Sequence, residues 1–189
     1  YLLESNRIWQ STGTRRELAL GFIYFSALRG TQGRFSDALD FSRQAAEIIR
    51  TLNDKVTSIM GYLTLGRIEM ARPHHENALT YAERALAAAE DAANAHFIAE
   101  ATALVGHTAL LAGNAEAAQA NYVHATERAS AIGMRGLNEE IRIGMAYARA
   151  AGGDTRPLKL LRDELPHIRL HADAHQLKVT LDEYLGDSV

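Results

Sequence analysis

Apolar and small residues recur along the chain with the spacing of amphipathic α-helices, and short segments rich in Gly, Asn, Asp or Pro separate the apolar stretches. This pattern predicts helices at about 1–10, 14–28, 36–52, 55–71, 75–92, 95–111, 115–132, 135–150, from 155 onwards, and 174–185. Pro166 removes a backbone N–H and clashes with the preceding turn, so it should kink or end the helix that begins at 155. The pattern predicts an all-α protein.

The predicted helices recur in pairs with a period of 40 residues. Shifting the sequence by this period superimposes two alanine columns, Ala38, Ala78 and Ala118, then Ala45, Ala85 and Ala125. The same shift brings Gly66 onto Gly106, with Gly144 two residues short of the next step. The column that ends each pair contains Gly13, Asn53, Ala93, Gly133 and Asp173. Gly and Asn favour the left-handed backbone that ends a helix, and alanine fits where two helices cross closely.

This period divides the chain into a partial repeat at 1–13, repeats at 14–53, 54–93, 94–133 and 134–173, and a capping helix at 174–186. Thr14 with Glu17 forms a predicted capping box, and Ser36 after Phe35 is placed to cap the next helix. One helix pair cannot bury its apolar face alone, so the pairs should stack into a single domain. Because the chain begins inside a helical pattern without Met, we expect a fragment of a longer protein.

The composition argues against several classes of function. Lys and Arg number 20 against 23 Asp and Glu, a net charge of −3, so no global basic field favours direct nucleic-acid binding. Without cysteine there is no disulfide, thiolate nucleophile or cysteine-based zinc site. The longest apolar stretches, 18–28 and 101–115, are shorter than the roughly 20 residues that span a bilayer. No combination of Ser, His and Asp indicates a catalytic site. We expect a cytoplasmic, non-enzymatic protein without a cofactor or membrane contact.

The repeat columns resemble the tetratricopeptide repeat (TPR). Its first helix carries Leu-Gly, matched by Leu65-Gly66, Val105-Gly106 and Ile143-Gly144. Its turn carries Gly and an aromatic residue, matched by Gly33 and Phe35, and its second helix carries the triplet found at Ala118, Tyr122 and Ala125. The chain departs from the pattern at Pro73 and His75 in the second turn and at Ser42, where an aromatic residue is usual. The resemblance implies a right-handed superhelix, an α-solenoid of antiparallel helix hairpins, with about four repeats plus a C-terminal capping helix.

The period of 40 residues is longer than the usual 34 of this family. Segments such as 5–15 and 45–55 look like the elongated repeats of MalT-like and LuxR-type bacterial regulators. In those regulators the repeats adjoin an ATPase module and a DNA-binding helix-turn-helix. This sequence contains neither a G-x-x-x-x-G-K-[ST] loop nor a basic recognition segment after Leu185. The resemblance implies the sensor or interaction region of a transcriptional regulator.

The family also implies which residues face a partner, because the first helix of each repeat lines the concave surface. The candidate binding residues are Tyr24, Met60, Thr64, Arg67, Glu100, His107, Asn138, Arg142 and Arg149. Arg67 and His107 occupy one column of adjacent repeats, and Arg142 lies on the next. Such a row could bind a carboxylate or an acidic peptide through charge-assisted hydrogen bonds. The alternative is that these arginines are solvated or paired with Glu69, Glu100 or Glu139.

A metal site is not predicted, although His167, His171 and His175 have the spacing of successive helical turns. Asp173, in the column that ends each repeat, is expected to break the helix between His171 and His175. No acidic or cysteine ligand accompanies the three histidines. Trp9 recurs in phase with Ile49, which favours core packing over a stacking role.

These observations favour a non-catalytic scaffold whose groove binds a protein or peptide segment. Two alternatives remain open from the sequence. One is a domain that senses a small-molecule effector in a pocket between repeats. The other is a structural unit that forms a homo-dimer through apolar residues exposed at Leu20, Ile23 and Leu63.

Overall fold

The computed structural model describes residues 4, 7–8, 14–52, 54–72, 77–165, 170 and 172–186. Within these residues the chain forms nine α-helices and no strand. In chain order they are α1 (Arg15–Thr31), α2 (Phe35–Ile49), α3 (Lys55–Met70), α4 (Ala78–Asp91), α5 (Ala95–Leu111), α6 (Ala115–Ala131), α7 (Arg135–Ala151), α8 (Arg156–Glu164) and α9 (Ala172–Leu185). The all-α prediction is confirmed. Of the predicted helix at 1–10, only Glu4, Arg7 and Ile8 are described, and all three are helical.

The chain separates into two compact units, Tyr1–Ala93 and Asn94–Val189. In the first unit α1 pairs with α2 and α3 with α4, and α3 also packs against α1 and α2. In the second unit α5 pairs with α6, α7 packs against α5, α6 and α8, and α9 packs against α7. Each unit is therefore built of two antiparallel helix hairpins, and the second carries one additional helix.

The alanine columns lie where the helices of a hairpin pack together. Ala38, Ala78 and Ala118 are each at most 1% exposed, and so are Ala45, Ala85 and Ala125. Between them the larger side chains of the first helices form the core, with Ile59, Leu104 and Ile143 fully buried. A larger side chain in an alanine column would push the helices apart, because interiors pack at the density of organic crystals. This close packing is the interpretation that the 40-residue period gave.

Sharp turns separate the helices. Ala93 and Gly133 have φ values of 49° and 74°, which confirms the left-handed helix ends predicted for their column. Asp173 is different: it lies inside α9, so the predicted break between His171 and His175 is wrong at this residue. Gly13 and Asn53, which share the column, lie outside the described residues, as do Pro73, His75 and Pro166.

Both predicted N-caps are wrong in detail. The Thr14 side chain does not cap α1, and α2 already begins at Phe35, which places Ser36 inside the first turn. Three other residues cap their helices through side-chain oxygens: Asp54, Asn94 and Asn114 accept hydrogen bonds from the third residue after them. Asp54 and Asn94 are themselves one period apart, so the repeat includes a cap that the sequence pattern did not reveal.

Asp54 provides a test of this cap. It accepts a 2.8 Å hydrogen bond from the Thr57 amide and an ion pair from Arg16 at 2.7 Å. The amide hydrogen bond is the main cause that lowers the pKa of Asp54, and Arg16 adds to it against partial burial. We expect Asp54→Ala to reduce the free energy of unfolding by about 1 kcal/mol at neutral pH, measured by urea unfolding.

The same carboxylate makes the loss depend on pH. A lowered pKa in the folded state means that the ionised cap stabilises the protein above the ordinary value of 3.8 and that this contribution disappears as the pH falls through the folded pKa. The difference between wild type and Asp54→Ala should therefore shrink in acid. Asp54→Asn, which keeps a cap but not the charge, should lose less than alanine does. Equal losses for the two variants at neutral pH would contradict this role.

Helix α9 is held to α7 by a buried face and a polar contact. Ala174, Leu177 and Leu181 are buried, and the Tyr147 hydroxyl donates to Asp182, which also pairs with Lys178. Burial raises the pKa of Asp182, but the hydrogen bonds from Lys178 and Tyr147 outweigh it and leave the pKa below its usual value. The sequence placed Asp182 on a solvated outer face, whereas it anchors the helix.

Candidate functional site: two clefts between hairpins

In the second unit a cleft of about 440 Å³ opens between α6, α7 and α8. We call it the C-terminal cleft. Its lining residues are Thr126, Asn138, Ile141, Arg142, Met145, Ala146, Arg149, Pro157, Leu160, Leu161 and Glu164. Ile141, Ala146 and Leu161 are buried and form an apolar floor, whereas Leu160 is 64% exposed at the edge. The cleft combines an apolar floor with a polar rim, the usual composition of a binding site.

The charged groups of the C-terminal cleft lie on two of its walls. Arg142 on α7 pairs with Glu164 on α8 at 2.6 Å, and both side chains are about half exposed. Arg149, two turns further along α7, is exposed and makes no ion pair with any residue that the structure describes. The Asn138 side-chain oxygen is buried and has no hydrogen-bond partner among the described residues. The cleft therefore presents one paired cation, one available cation and one amide.

The first unit contains a cleft at the corresponding place, between α2, α3 and α4. We call it the N-terminal cleft. Its volume is about 240 Å³, and its lining residues are Ile23, Ser42, Ala45, Ala46, Glu47, Ile49, Arg50, Gly61, Tyr62, Thr64, Leu65, Tyr81 and Arg84. Moving along the chain by two periods takes Ala46, Gly61, Tyr62 and Leu65 to Thr126, Ile141, Arg142 and Met145 of the C-terminal cleft. The two clefts share a position in their units and differ in chemistry.

Behind the C-terminal cleft, the hairpin core contains a buried polar cluster. The Tyr122 ring is fully buried, and its hydroxyl lies 2.9 Å from Nδ1 of His107. Nε2 of His107 lies 3.8 Å from a carboxylate oxygen of the buried Glu140. Burial raises the pKa of Tyr122 well above its ordinary value, and the nearby Glu140 charge raises it further. Tyr122 therefore remains protonated at neutral pH and can donate to Nδ1 when the imidazole proton is on Nε2.

Two glycines make room for this tyrosine. A Cβ added to Gly106 would come within 2.8 Å of the Tyr122 ring, and one added to Gly144 within 2.5 Å of its Cζ. Since α5 and α7 begin one period apart, Gly144 corresponds to Leu104 and not to Gly106. The glycines that the sequence grouped as one motif thus contact opposite sides of a single ring.

The structure brings together three of the nine candidate binding residues, Asn138, Arg142 and Arg149, in the C-terminal cleft. Thr64 lines the N-terminal cleft. Tyr24 is about half exposed, Met60 packs against the core of α1 and α2, and Arg67 and Glu100 are half-buried. His107 is 2% exposed, so it belongs to the hairpin core and cannot extend an exposed row from Arg67 to Arg142.

Sequence reasoning missed the walls that the second helices supply. Leu160, Leu161 and Glu164 come from α8, and Tyr81 and Arg84 come from α4. The assumption that only first helices face a partner left these residues out. Comparing α3 with α7 at a shift of two periods would have shown Tyr62 and Arg142 at equivalent positions, but not how the short α8 packs against them.

The apolar residues proposed to seal a dimer are not exposed as predicted. Ile23 and Leu63 are each 3% exposed, and Leu20 is half-buried against the first unit's core. The basis for that dimer in the sequence is therefore wrong. The described residues contain no group of three metal-ligating side chains, and His167 and His171 lie outside them. No helix in the described part of the chain is both long and apolar enough to cross a bilayer.

Comparison with known proteins identifies the fold. No protein-family model matches the chain, and no curated protein matches it. A solved structure matches with a TM-score of 0.62: the signal transduction ATPase with numerous domains (STAND) from Pyrococcus horikoshii, which has a tetratricopeptide repeat sensor. The sequences are 17% identical, and the match covers 90% of this chain and 24% of that one, so this chain spans about a quarter of its length. The likeness confirms the predicted TPR-like helical repeat fold.

Proposed function

We propose that this chain is a non-catalytic recognition module and that its C-terminal cleft binds an acidic segment of a protein partner. The observation that carries the proposal is the pair of arginines, Arg142 and Arg149, above a floor of Ile141 and Met145. An apolar side chain of the partner would fill the floor, and its carboxylates would face the guanidinium groups. Arginine suits this task because its donors match the two oxygens of a carboxylate.

The scaffold supports such recognition physically. The cleft walls are helices whose opposite faces are buried in alanine-lined contacts, so the walls are ordered before the partner arrives. Little conformational entropy is then lost on this side of the interface when a segment binds. The likeness to a TPR sensor extends the proposal: in its parent protein, a cytoplasmic signalling regulator of the MalT-like or STAND kind, the module would report the bound partner to an effector domain.

Calorimetric titration of the full chain tests the cleft. The probe is a blocked nonapeptide with Glu-Glu-Leu repeated three times, and the reference peptide replaces every glutamate by glutamine. We expect the acidic peptide to bind and the neutral peptide to bind at least about fivefold more weakly, as removal of an exposed charge contact implies. Arg149→Ala should weaken the acidic peptide by about the same factor.

Arg135→Ala provides the matched control, because Arg135 is exposed on the same helix but does not line the cleft. Equal affinity of the two peptides, or an Arg135→Ala effect as large as that of Arg149→Ala, would remove the support for this site.

Glu164 gives a prediction of opposite sign. Its carboxylate holds Arg142 at 2.6 Å and would compete with a carboxylate of the partner. Glu164→Gln should therefore raise the affinity for the acidic nonapeptide by about two- to fivefold, the range of exposed ion pairs. The same titration measures the change, with Asp163→Gln, an exposed neighbour outside the cleft, as control. Weaker binding by Glu164→Gln would show that Glu164 positions Arg142 and does not compete for it.

A further inference from the structure

The N-terminal cleft lies where the other unit contains an aromatic ring. In the second unit, the Tyr122 ring occupies the space between Gly106 and Gly144. Two periods earlier the corresponding residue is Ser42, with Ser26 and Thr64 at the glycine positions. Ser42 and Thr64 both line the cleft. The first unit has the same helix pairing but supplies no ring of its own at this position.

The inner part of the N-terminal cleft is apolar with hydroxyl groups at one side. Ile23, Gly61 and Leu65 form part of its wall, and all three are buried. The Ser42 hydroxyl is hydrogen-bonded to that of Ser26, which donates to the Ala38 carbonyl at 2.7 Å. These bonds fix the serine side chains away from the position of a ring. A flat apolar group could enter without leaving a buried hydroxyl unsatisfied.

The entrance is aromatic and basic. Tyr62 and Tyr81 line it, and the Arg84 guanidinium lies 6.0 Å from the centre of the Tyr81 ring. Arg50 is paired with Glu47 at 3.2 Å. Arg84 makes no ion pair with any other residue in the described ranges. One cation at the entrance is therefore available to an anion from solution.

We propose that the N-terminal cleft binds a small aromatic acid, a single six-membered ring with one carboxylate. The ring takes the place that Tyr122 occupies in the other unit, and the carboxylate pairs with Arg84. The volume of about 240 Å³ is below the roughly 300 Å³ at which pockets for larger ligands begin, so a one-ring compound is the size that fits. This site is in a different unit from the C-terminal cleft and does not depend on the function proposed for that cleft.

Benzoate is the probe, with acetate as a control for salt effects and benzyl alcohol as the uncharged ring. A ligand of this size should bind with a dissociation constant on the order of 1 mM. At 10 mM, benzoate should then raise the Tm of the full chain by about 3 °C, and acetate should not raise it. No rise with benzoate beyond that with acetate would overturn the proposal.

Variants locate the bound benzoate. Arg84→Gln should weaken benzoate at least about fivefold and leave benzyl alcohol unchanged, because only the carboxylate needs the cation. Ala46→Leu, which fills the cleft, should abolish binding of both. The controls are Arg43→Gln, an exposed arginine on α2 outside the cleft, and Ala88→Leu, at an alanine of α4 that is half-buried like Ala46 but does not line the cleft. Benzoate binding that survives Ala46→Leu, or that is lost in Arg142→Glu/Arg149→Glu, would place the ligand elsewhere and overturn the assignment.

Discussion

Replacing Tyr122 by alanine is expected to reduce the free energy of unfolding by about 3–5 kcal/mol, the range measured for removal of large buried side chains. The ring is fully buried between α5 and α7. Its removal leaves a cavity and takes away the hydroxyl that lies 2.9 Å from Nδ1 of His107. Urea unfolding followed by helical circular dichroism measures the loss. Val123→Ala, about half exposed on the same helix, is the control and should change stability by less than about 1 kcal/mol.

A double-mutant cycle with Gly144→Ala tests the packing more closely. In the wild type, the added methyl would lie within 2.5 Å of Tyr122 Cζ, so overpacking should cost about 1–3 kcal/mol. In the Tyr122→Ala background that contact is gone, and alanine should stabilise α7 by up to about 1 kcal/mol over glycine. The effect of one substitution therefore changes sign. An effect of the same sign in both backgrounds would show that the glycine is not there to admit the ring.

The second large effect concerns binding. Arg142→Glu/Arg149→Glu should weaken the acidic nonapeptide by at least about tenfold, because it replaces attraction by repulsion at two positions and leaves Glu164 beside them. The reversed cleft should in turn prefer a nonapeptide of Lys-Lys-Leu repeats, which the wild type should not bind. Calorimetric titration of both peptides against both proteins measures the exchange of preference.

Arg128→Glu/Arg135→Glu is the matched control. Both arginines are exposed on the helices that form the cleft, but neither lines it. This variant changes the net charge of the protein as much as the cleft variant does. If the two variants weaken the acidic peptide equally, the attraction is a property of the whole surface and not of the cleft.

The fold could be predicted because its determinants are local or periodic. Helix ends at Ala93 and Gly133 depend on the backbone preference of single positions, and the buried alanines recur at one interval. The caps failed for a local reason as well: α2 begins at Phe35, so Ser36 cannot act as its cap. A pattern locates a helix end to within a residue or two, whereas a cap depends on one residue.

The candidate site was predictable only in part. Arg142 and Arg149 lie on one helix, and their helical spacing places them near each other whatever packs against them. His107 could not be assigned in that way, because a column position does not reveal that Tyr122 and Glu140 enclose the imidazole. Glu164 was out of reach since α8 does not follow the repeat, with a start only 21 residues after that of α7.

Methionine methyl groups give the most direct test of whether the C-terminal cleft binds an acidic segment. The chain has four methionines, and only Met145 lines that cleft. In protein labelled with ¹³C at the methionine methyls, titration with the acidic nonapeptide should shift the Met145 signal progressively and leave those of Met60 and Met70 in place. A peptide that binds by calorimetry but moves Met60 or Met70 while the Met145 signal stays constant would contradict the account.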